Sequence, residues 1–215
     1  MSLHINNVTI SMPNGDALLS SFCLQIAKGE IVTLMGASGC GKSTLLNYIA
    51  GHLSDAFQAQ GNLILNNNDI TEVPAHLRQI GMLFQDDLLF PHLLVWENLA
   101  FALPNRIKGK DRQKLALNAL EELKLSALAN TYPHQVSGGQ RARISLTRLL
   151  LAQPKLMLLD EPFSKLDAEL RLQFRDWVFN QIQKEGIPTL MVTHDKQDIP
   201  SHSRVVYWVQ EDTHA

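Results

Sequence analysis

The stretch Gly36-Ala37-Ser38-Gly39-Cys40-Gly41-Lys42-Ser43-Thr44 decides how this chain is read. It fits the spacing G-x-x-x-x-G-K-[S/T] of a phosphate-binding loop. Before it runs Ile31-Val32-Thr33-Leu34-Met35, short, apolar and partly β-branched, as a buried strand requires. After it, Leu45-Leu46-Asn47-Tyr48-Ile49-Ala50 suits a helix closed by Gly51. Strand, glycine-rich loop and helix follow in the order the motif needs. Gly36, Gly39 and Gly41 let backbone N–H groups turn towards phosphate oxygens, and the helix start adds its positive end. Lys42 is placed to reach the β- and γ-phosphates of a nucleotide, and the Ser43 hydroxyl to hold Mg²⁺.

A chain of 215 residues, 45% of them hydrophobic, fills one domain with room for a subdomain. A net charge of −2 offers no polyanion-binding surface, so nucleic acid is not expected as a partner. The only cysteines are Cys23 and Cys40, which imply no disulfide framework and suit a reducing compartment. Cys40, inside the loop and beside Lys42, is a candidate for alkylation; a small packing residue explains it equally well. Met1-Ser2-Leu3-His4 does not open like a signal peptide. The best apolar stretch, Leu88 to Leu103, is broken by Pro91, His92, Glu97 and Asn98, so no transmembrane helix is expected. A membrane role therefore needs a partner.

Leu3 to Ile10 and Phe22 to Ile26 read as strands joined by a turn at Pro13-Asn14-Gly15, and Gly61 to Leu65 and Ile80 to Phe84 as further strands. From Asp86 to Pro133 the texture becomes helical, with helices over Glu97 to Leu103 and Asp111 to Leu125. The second turns Leu115, Ala116, Ala119, Leu120 and Leu123 to one face. Helices follow over Gln140 to Ala152 and over Ala168 to Lys184, the latter with Leu170, Phe174, Trp177, Val178 and Ile182 inward and stopped by Gly186 and Pro188. Leu156 to Leu159, Thr189 to Thr193 and Arg204 to Val209 read as strands. Strands alternating with helices predict an α/β fold with a mainly parallel sheet. The expected organisation is a single domain over residues 1–215. Residues 1–85 and 140–215 form its core and N-terminal antiparallel β subdomain, and residues 86–139 an inserted helical subdomain.

Leu156-Met157-Leu158-Leu159-Asp160-Glu161 is an apolar strand ending in two acids, the Walker B arrangement. Such a strand carries Asp160 to the sheet edge beside the phosphate loop, where it can help hold Mg²⁺. Glu161 is then placed to polarise a water attacking the γ-phosphate. A second anion cradle stands at Val136-Ser137-Gly138-Gly139-Gln140, a Ser-Gly-Gly turn opening a helix. One nucleotide per chain does not need two cradles, although a plain cap with Ser137 as N-cap reads the same residues.

This set of motifs resembles the nucleotide-binding subunits of ABC transporters, a P-loop NTPase fold, over nearly the whole chain. The resemblance implies an ATPase in which Ser137, Gly138, Gly139 and Gln140 form the signature motif, with Val136 where the family usually has Leu. Ser137 and Gly139 would contact the γ-phosphate of ATP held on a partner's phosphate loop. Two chains would thus form a homodimer around two ATPs, an isologous arrangement. Gln85 matches the Q-loop glutamine, a contact to Mg²⁺ or the attacking water, His194 the switch histidine, and Asp167 the D-loop aspartate. Site residues by this resemblance are the loop from Gly36 to Thr44, Gln85, Ser137 to Gln140, Asp160, Glu161, Asp167 and His194. Among them Lys42, Gln85, Glu161 and His194 serve catalysis, and Ser43, Gln85 and Asp160 serve Mg²⁺.

Two departures from the family pattern stand out. Lys165 occupies a D-loop position that is usually small or neutral. Met12 falls by spacing where the family stacks an aromatic on adenine, and no Phe, Trp or Tyr lies between Ile5 and Ser21. A thioether stacks less well on a base, so GTP is expected to be hydrolysed at a rate comparable to ATP. Ser164-Lys165-Leu166-Asp167 superficially matches the base-reading motif of GTPases, but it follows directly on Asp160-Glu161 rather than on a later strand. The segment Leu88-Leu89-Phe90-Pro91-His92-Leu93-Leu94-Val95-Trp96-Glu97-Asn98 is similar to that of importers for iron, sulfate, polyamines or thiamine, where it forms a groove for a membrane subunit. The chain stops soon after Val209, where sugar importers carry a further regulatory domain. The resemblance therefore implies an importer ATPase on the cytoplasmic face of a bacterial inner membrane, with permease subunits and a substrate-binding protein as partners. An exporter subunit, or a soluble ABC ATPase acting on ribosomes or DNA, remains as an alternative.

Overall fold

The computed structural model describes residues 1–84, 86–200 and 203–208. Along the chain run β1 (Leu3–Ser11), β2 (Ala17–Ile26), β3 (Ile31–Met35), α1 (Lys42–Ala50), β4 (Gln58–Leu65), β5 (Asn68–Asp69), β6 (Ile80–Leu83), α2 (Val95–Ala102), α3 (Gly109–Glu122), α4 (Gly138–Leu151), β7 (Leu156–Asp160), α5 (Ala168–Glu185), β8 (Thr189–Thr193) and β9 (Arg204–Tyr207). They divide into two compact units. The first comprises Met1–Met82, Lys155–Glu161 and Phe179–Ala215; the second comprises Leu83–Pro154 and Pro162–Val178.

The first unit holds two sheets. One is antiparallel, in the order β2-β1-β4-β5. The other has the order β6-β7-β8-β3-β9, with β7, β8, β3 and β9 parallel. The strands β3 and β8 are buried along their whole length, as the unbroken apolar runs demand of a parallel sheet covered on both faces. Between the sheets lies α1, whose Leu45, Leu46 and Ile49 join Leu3, Ile5, Leu34, Leu63, Leu158 and Leu190 in one core. Truncating such a leucine costs roughly 2–5 kcal/mol. Arg78 closes the far end of α1. Its guanidinium donates to the carbonyls of Tyr48 and Ile49 at 3.0 and 2.8 Å, and to Thr71 and Val73 at 2.8 and 2.6 Å. The last helix carbonyls, which no helical N–H can reach, are thus satisfied.

The second unit is helical. Arg112 on α3 repeats the Arg78 device after α2, donating to Ala100, Leu103, Pro104 and Ile107. Ala116, Ala119, Leu120 and Leu123 are buried as expected, but Leu115 is 40% exposed. In α5, Phe174, Val178 and Ile182 are buried and Trp177 is half-buried, whereas Leu170 is 41% exposed. Both corrected leucines flank their apolar stripe, where periodicity alone does not separate the edge of a face from its centre. The expected strand from Phe22 begins earlier, at Ala17, because Leu19 also packs inward against Ile10 on β1. The helical unit also takes in residues 140–154 and 162–178 beyond the expected 86–139. Val209 and Gln85 lie outside the described residues.

Candidate functional site

The parallel register builds the carboxyl edge of the sheet in the first unit. Asp160 on β7 is level with Val192 on β8, and Thr193 is level with Met35 on β3. Asp160, Glu161, His194 and Gly36 therefore leave three neighbouring strands at the same carboxyl edge, where open α/β sheets bind ligands. Ala37, Ser38 and Gly39 form an exposed loop tip, followed by α1. Gly41 sits at the helix start with φ +102° and lies so close to Leu18 that an added Cβ would fall 2.7 Å from its Cγ. Gly36 is closed in from the other side, an added Cβ meeting Trp208 at 2.8 Å. At Gly39, with φ +80°, that space is open. The glycines at the loop's ends permit close packing, and the one at its tip leaves room for a bound anion.

Lys42 is only 6% exposed. Its Nζ donates to the carbonyls of Gly36 and Ala37 at 3.0 and 2.6 Å and lies 3.4 Å from the Cys40 Sγ. The ammonium is thus held over the cradle by the loop it serves. Cys40 is 5% exposed, which favours its packing role. Ser43 is exposed, on the first turn of α1. Burial pushes the Asp160 pKa up, the nearby Ser43 hydroxyl opposes this, the Glu161 charge adds to the rise and the Lys42 charge opposes it. A hydroxyl and a carboxylate are hard oxygen donors, and among the described residues no cluster of three or more His, Cys, Asp or Glu could hold a metal. That sparse set suits Mg²⁺, which keeps waters and takes phosphate oxygens rather than a full protein cage.

Glu161 has φ +47°, a left-handed conformation that costs an ordinary residue roughly 1 kcal/mol or more. The turn is held by the Glu161 N–H donating to the Val192 carbonyl at 2.9 Å. It brings the Glu161 Oε1 to 2.7 Å from the His194 Nδ1. Asp195 and Thr193 fix the following chain, the Thr193 hydroxyl donating to the buried Asp198 at 3.0 Å. Met12 is half-buried at the mouth of the β1–β2 hairpin, its N–H donating to the Asp16 carbonyl at 2.8 Å. Leu18, on the far side of that turn, is the residue against Gly41.

The second unit carries the remaining site residues. Ser137 is the N-cap of α4, its hydroxyl accepting from the Gln140 N–H at 3.3 Å. The Gln140 side chain accepts from the Ser137 N–H at 3.0 Å, which completes a capping box. An added Cβ on Gly138 would meet only Arg141, at 3.9 Å, whereas on Gly139 it would lie 3.4 Å from the Lys165 carbonyl oxygen. Asp167 caps α5, accepting from the Leu170 N–H at 3.0 Å. The capping reading of Ser137 is thus the one the geometry shows. Asp87, which sequence reading passed over, stands 3.3 Å from both Arg141 and Lys165; only its sequence neighbourhood, two residues beyond Gln85, hinted at a role.

The family model described as ABC transporter matches residues 19–164. The chain belongs to this ATP-binding family. Over 97% of its length it is 48% identical to the uncharacterised ABC transporter ATP-binding protein YnjD of Escherichia coli, covering 95% of that protein. It is 42% identical to the sulfate/thiosulfate import ATP-binding protein CysA of Neisseria meningitidis over 92% of its length, and 41% to the putrescine transport ATP-binding protein PotG of Escherichia coli over 91%. It spans only 56% of that CysA and 51% of that PotG. Among solved structures, the ATP-binding cassette MJ0796, a dimer in a post-hydrolysis state bound to ADP and Pi, superposes with a TM-score of 0.82 at 30% identity. The match covers 95% of this chain and 93% of that one. The ABC fold expected from the sequence, a parallel core sheet with an antiparallel β subdomain and helices, is the one observed.

Proposed function

We propose that this ABC ATPase is the subunit that drives a membrane importer, hydrolysing ATP between two copies of itself. One observation carries the reading. Among the described residues, two glycine-rich turns that the sequence marks as anion cradles open helices, α1 in the first unit and α4 in the second, and Asp160 and Glu161 stand at the sheet edge of the first. A chain with one catalytic edge and a surplus cradle is half of a symmetric pair.

In the first unit, Lys42 exchanges its loop carbonyls for β- and γ-phosphate oxygens. The loop N–H groups and the α1 start stabilise the charge that develops on them. Glu161 accepts the proton of the attacking water, and His194, hydrogen-bonded to Glu161, orients that carboxylate and faces the leaving phosphate. Water oxygen bonds to the γ-phosphorus as the bond to ADP breaks, giving ADP and phosphate. Ser43 and Asp160 would hold Mg²⁺, which neutralises phosphate charge when bound. Gln85 completes this set in the proposal. Ser137, Gly138 and Gly139 of the partner copy close over the γ-phosphate, with Asp167 near the interface. ATP favours the closed pair and hydrolysis releases it, so membrane subunits are pulled between two access states.

The membrane partner docks on the segment from Leu88 to Asn98. Its surroundings expose apolar side chains beyond the needs of a helical core: Phe101 is 63% exposed and stacks edge-on against Phe90, ring centres 4.8 Å apart. No helix among the described residues is long and apolar enough to cross a membrane, so this surface is where the chain would meet one that does. The proposed place is the cytoplasmic face of the inner membrane, with permease subunits and a substrate-binding protein completing the complex. Tagged purification from detergent-solubilised membranes tests this. A polytopic membrane protein should co-elute and raise ATPase activity; ribosomal or DNA-associated proteins in its place would overturn the importer reading.

A further inference from the structure

We propose that Asp87 is a positioning residue, an ionic node through which the loop after β6 sets the start of α4 and the turn before α5, with Lys165 as its adjustable arm. The proposal rests on the ATPase reading above and adds Asp87, which none of the motifs contains.

The Asp87 carboxylate is divided between two cations. Its Oδ2 lies 3.3 Å from the Arg141 Nε and its Oδ1 3.3 Å from the Lys165 Nζ. Each cation continues into the Ser137–Gly139 turn. Arg141 donates through Nη1 to the carbonyl of Val136, the residue before Ser137, at 2.5 Å. The Lys165 carbonyl oxygen lies against Gly139, at 3.4 Å from where a Cβ would stand. The backbone beside Asp87 is pinned to the same helix. The Ser145 hydroxyl donates to the Asp87 carbonyl at 2.7 Å, and the Arg148 Nη2 to the Leu88 carbonyl at 2.9 Å. Arg141, Ser145 and Arg148 are spaced by four and three residues, so one face of α4 grips the loop along two turns. That loop leads into the segment proposed to meet the membrane partner, and Asn98 ties it internally by accepting from the Phe90 N–H at 2.8 Å.

Exposure separates the firm part of this arrangement from the yielding part. The Asp87 side chain is 14% exposed, while those of Arg141 and Lys165 are 36% and 37% exposed. The carboxylate stays in place, but each ion pair is solvent-screened and individually weak. Arg141 keeps a second anchor at Val136, so the Lys165 contact is the one that breaks first. A displaced loop therefore alters how the turn before α5 presses on Gly139. Lys165 thereby turns an unusual D-loop cation into a link between loop position and phosphate contact.

The test is steady-state ATP hydrolysis by the purified complex for wild type, Lys165→Met, Lys165→Arg, Asp87→Asn and the double variant Lys165→Met/Asp87→Asn. Lys165→Met should lower kcat about tenfold with KM for ATP within about twofold, since a small misplacement of a closing group acts on the transition state. Lys165→Arg should restore most of the rate. The double variant should be no slower than Asp87→Asn, the signature of two residues acting through one contact. Raising salt from about 50 to about 500 mM should slow wild type more than Lys165→Met. A Lys165→Met rate within twofold of wild type, or losses that multiply in the double variant, would overturn the node while leaving the ATPase reading intact. A wild-type complex that hydrolyses no ATP would sink both.

Discussion

The start of α1 and the start of α4 are both proposed to meet an anion, yet they are held in opposite ways. The first has no side-chain cap; it is shaped by the backbone at Gly41 and anchored by Leu45 and Leu46, which are wholly buried. The second is held by side chains: the Ser137–Gln140 capping box, Arg141 on Val136, and the ion pairs of Asp87. A loop built from backbone and fixed by a core is rigid, which suits the unit proposed to carry the reacting groups. A helix start held by exposed polar contacts can be repositioned at little cost, which suits a group that must close on a partner and let go. The sharpest way to break this contrast is to change one end and look for damage at the other.

The largest effect belongs to the rigid end. Glu161→Gln should lower kcat by about 10²–10⁴ through loss of the general base. ATP binding should survive, and the variant should accumulate as an ATP-dependent dimer in size-exclusion chromatography with light scattering. A variant that stays monomeric at saturating ATP and Mg²⁺ would remove the roles given to Ser137 and Gly139. The helix ends give the same contrast in stability. Arg78→Ala strips partners from buried carbonyls in the first unit and should cost roughly 2–4 kcal/mol. Arg112→Ala, half-buried in the second, should cost roughly 1–2 kcal/mol. Denaturant unfolding measures both, and equal losses would erase the distinction between the units.

Much of the rigid end is legible in the sequence because its determinants are local. The phosphate loop follows directly on its strand, and Asp160-Glu161 directly on the apolar run from Leu156, so each motif is one contiguous stretch, and the short apolar runs place both strands in a parallel sheet. The polar anchors were not legible for the opposite reason. Asp87 is separated by 54 residues from Arg141 and by 78 from Lys165, and Arg78 by 29 from Ile49. No local pattern distinguishes such a charge from a solvated one. Leu115 and Leu170 show the remaining gap: helical period defines a stripe, but tertiary packing decides where the stripe ends.

Smaller effects refine the account. Asp160 has its folded pKa raised chiefly by burial, so the folded state favours its neutral form. The sign follows: its favourable contribution is full below the unfolded carboxylate pKa and is lost as pH rises through the higher folded value. Asp160→Asn should therefore raise the Tm of the nucleotide-free chain at neutral pH and flatten its dependence on pH between the unfolded and the higher folded carboxylate values, while removing Mg²⁺-dependent hydrolysis. A lower Tm would mean that the Ser43 and Lys42 interactions outweigh burial. Smallest is the base contact. Met12→Tyr should raise ATP affinity and shift the ATP-to-GTP ratio of kcat/KM by about tenfold, the worth of one base-aromatic stack. A wild-type chain already strongly selective for ATP would show that Met12 does not set base choice.

Mixing two defective chains tests the shared site most directly. Lys42→Ala abolishes the phosphate loop and spares the α4 start; Ser137→Arg does the converse. Both are made in the Glu161→Gln background, and retention of labelled ATP is measured by rapid filtration. Each alone should retain almost none. Mixed, they form one intact site from the loop of one chain and the α4 start of the other, and should retain up to one ATP per mixed pair. Retention on mixing no greater than for either chain alone would contradict a site built between two copies.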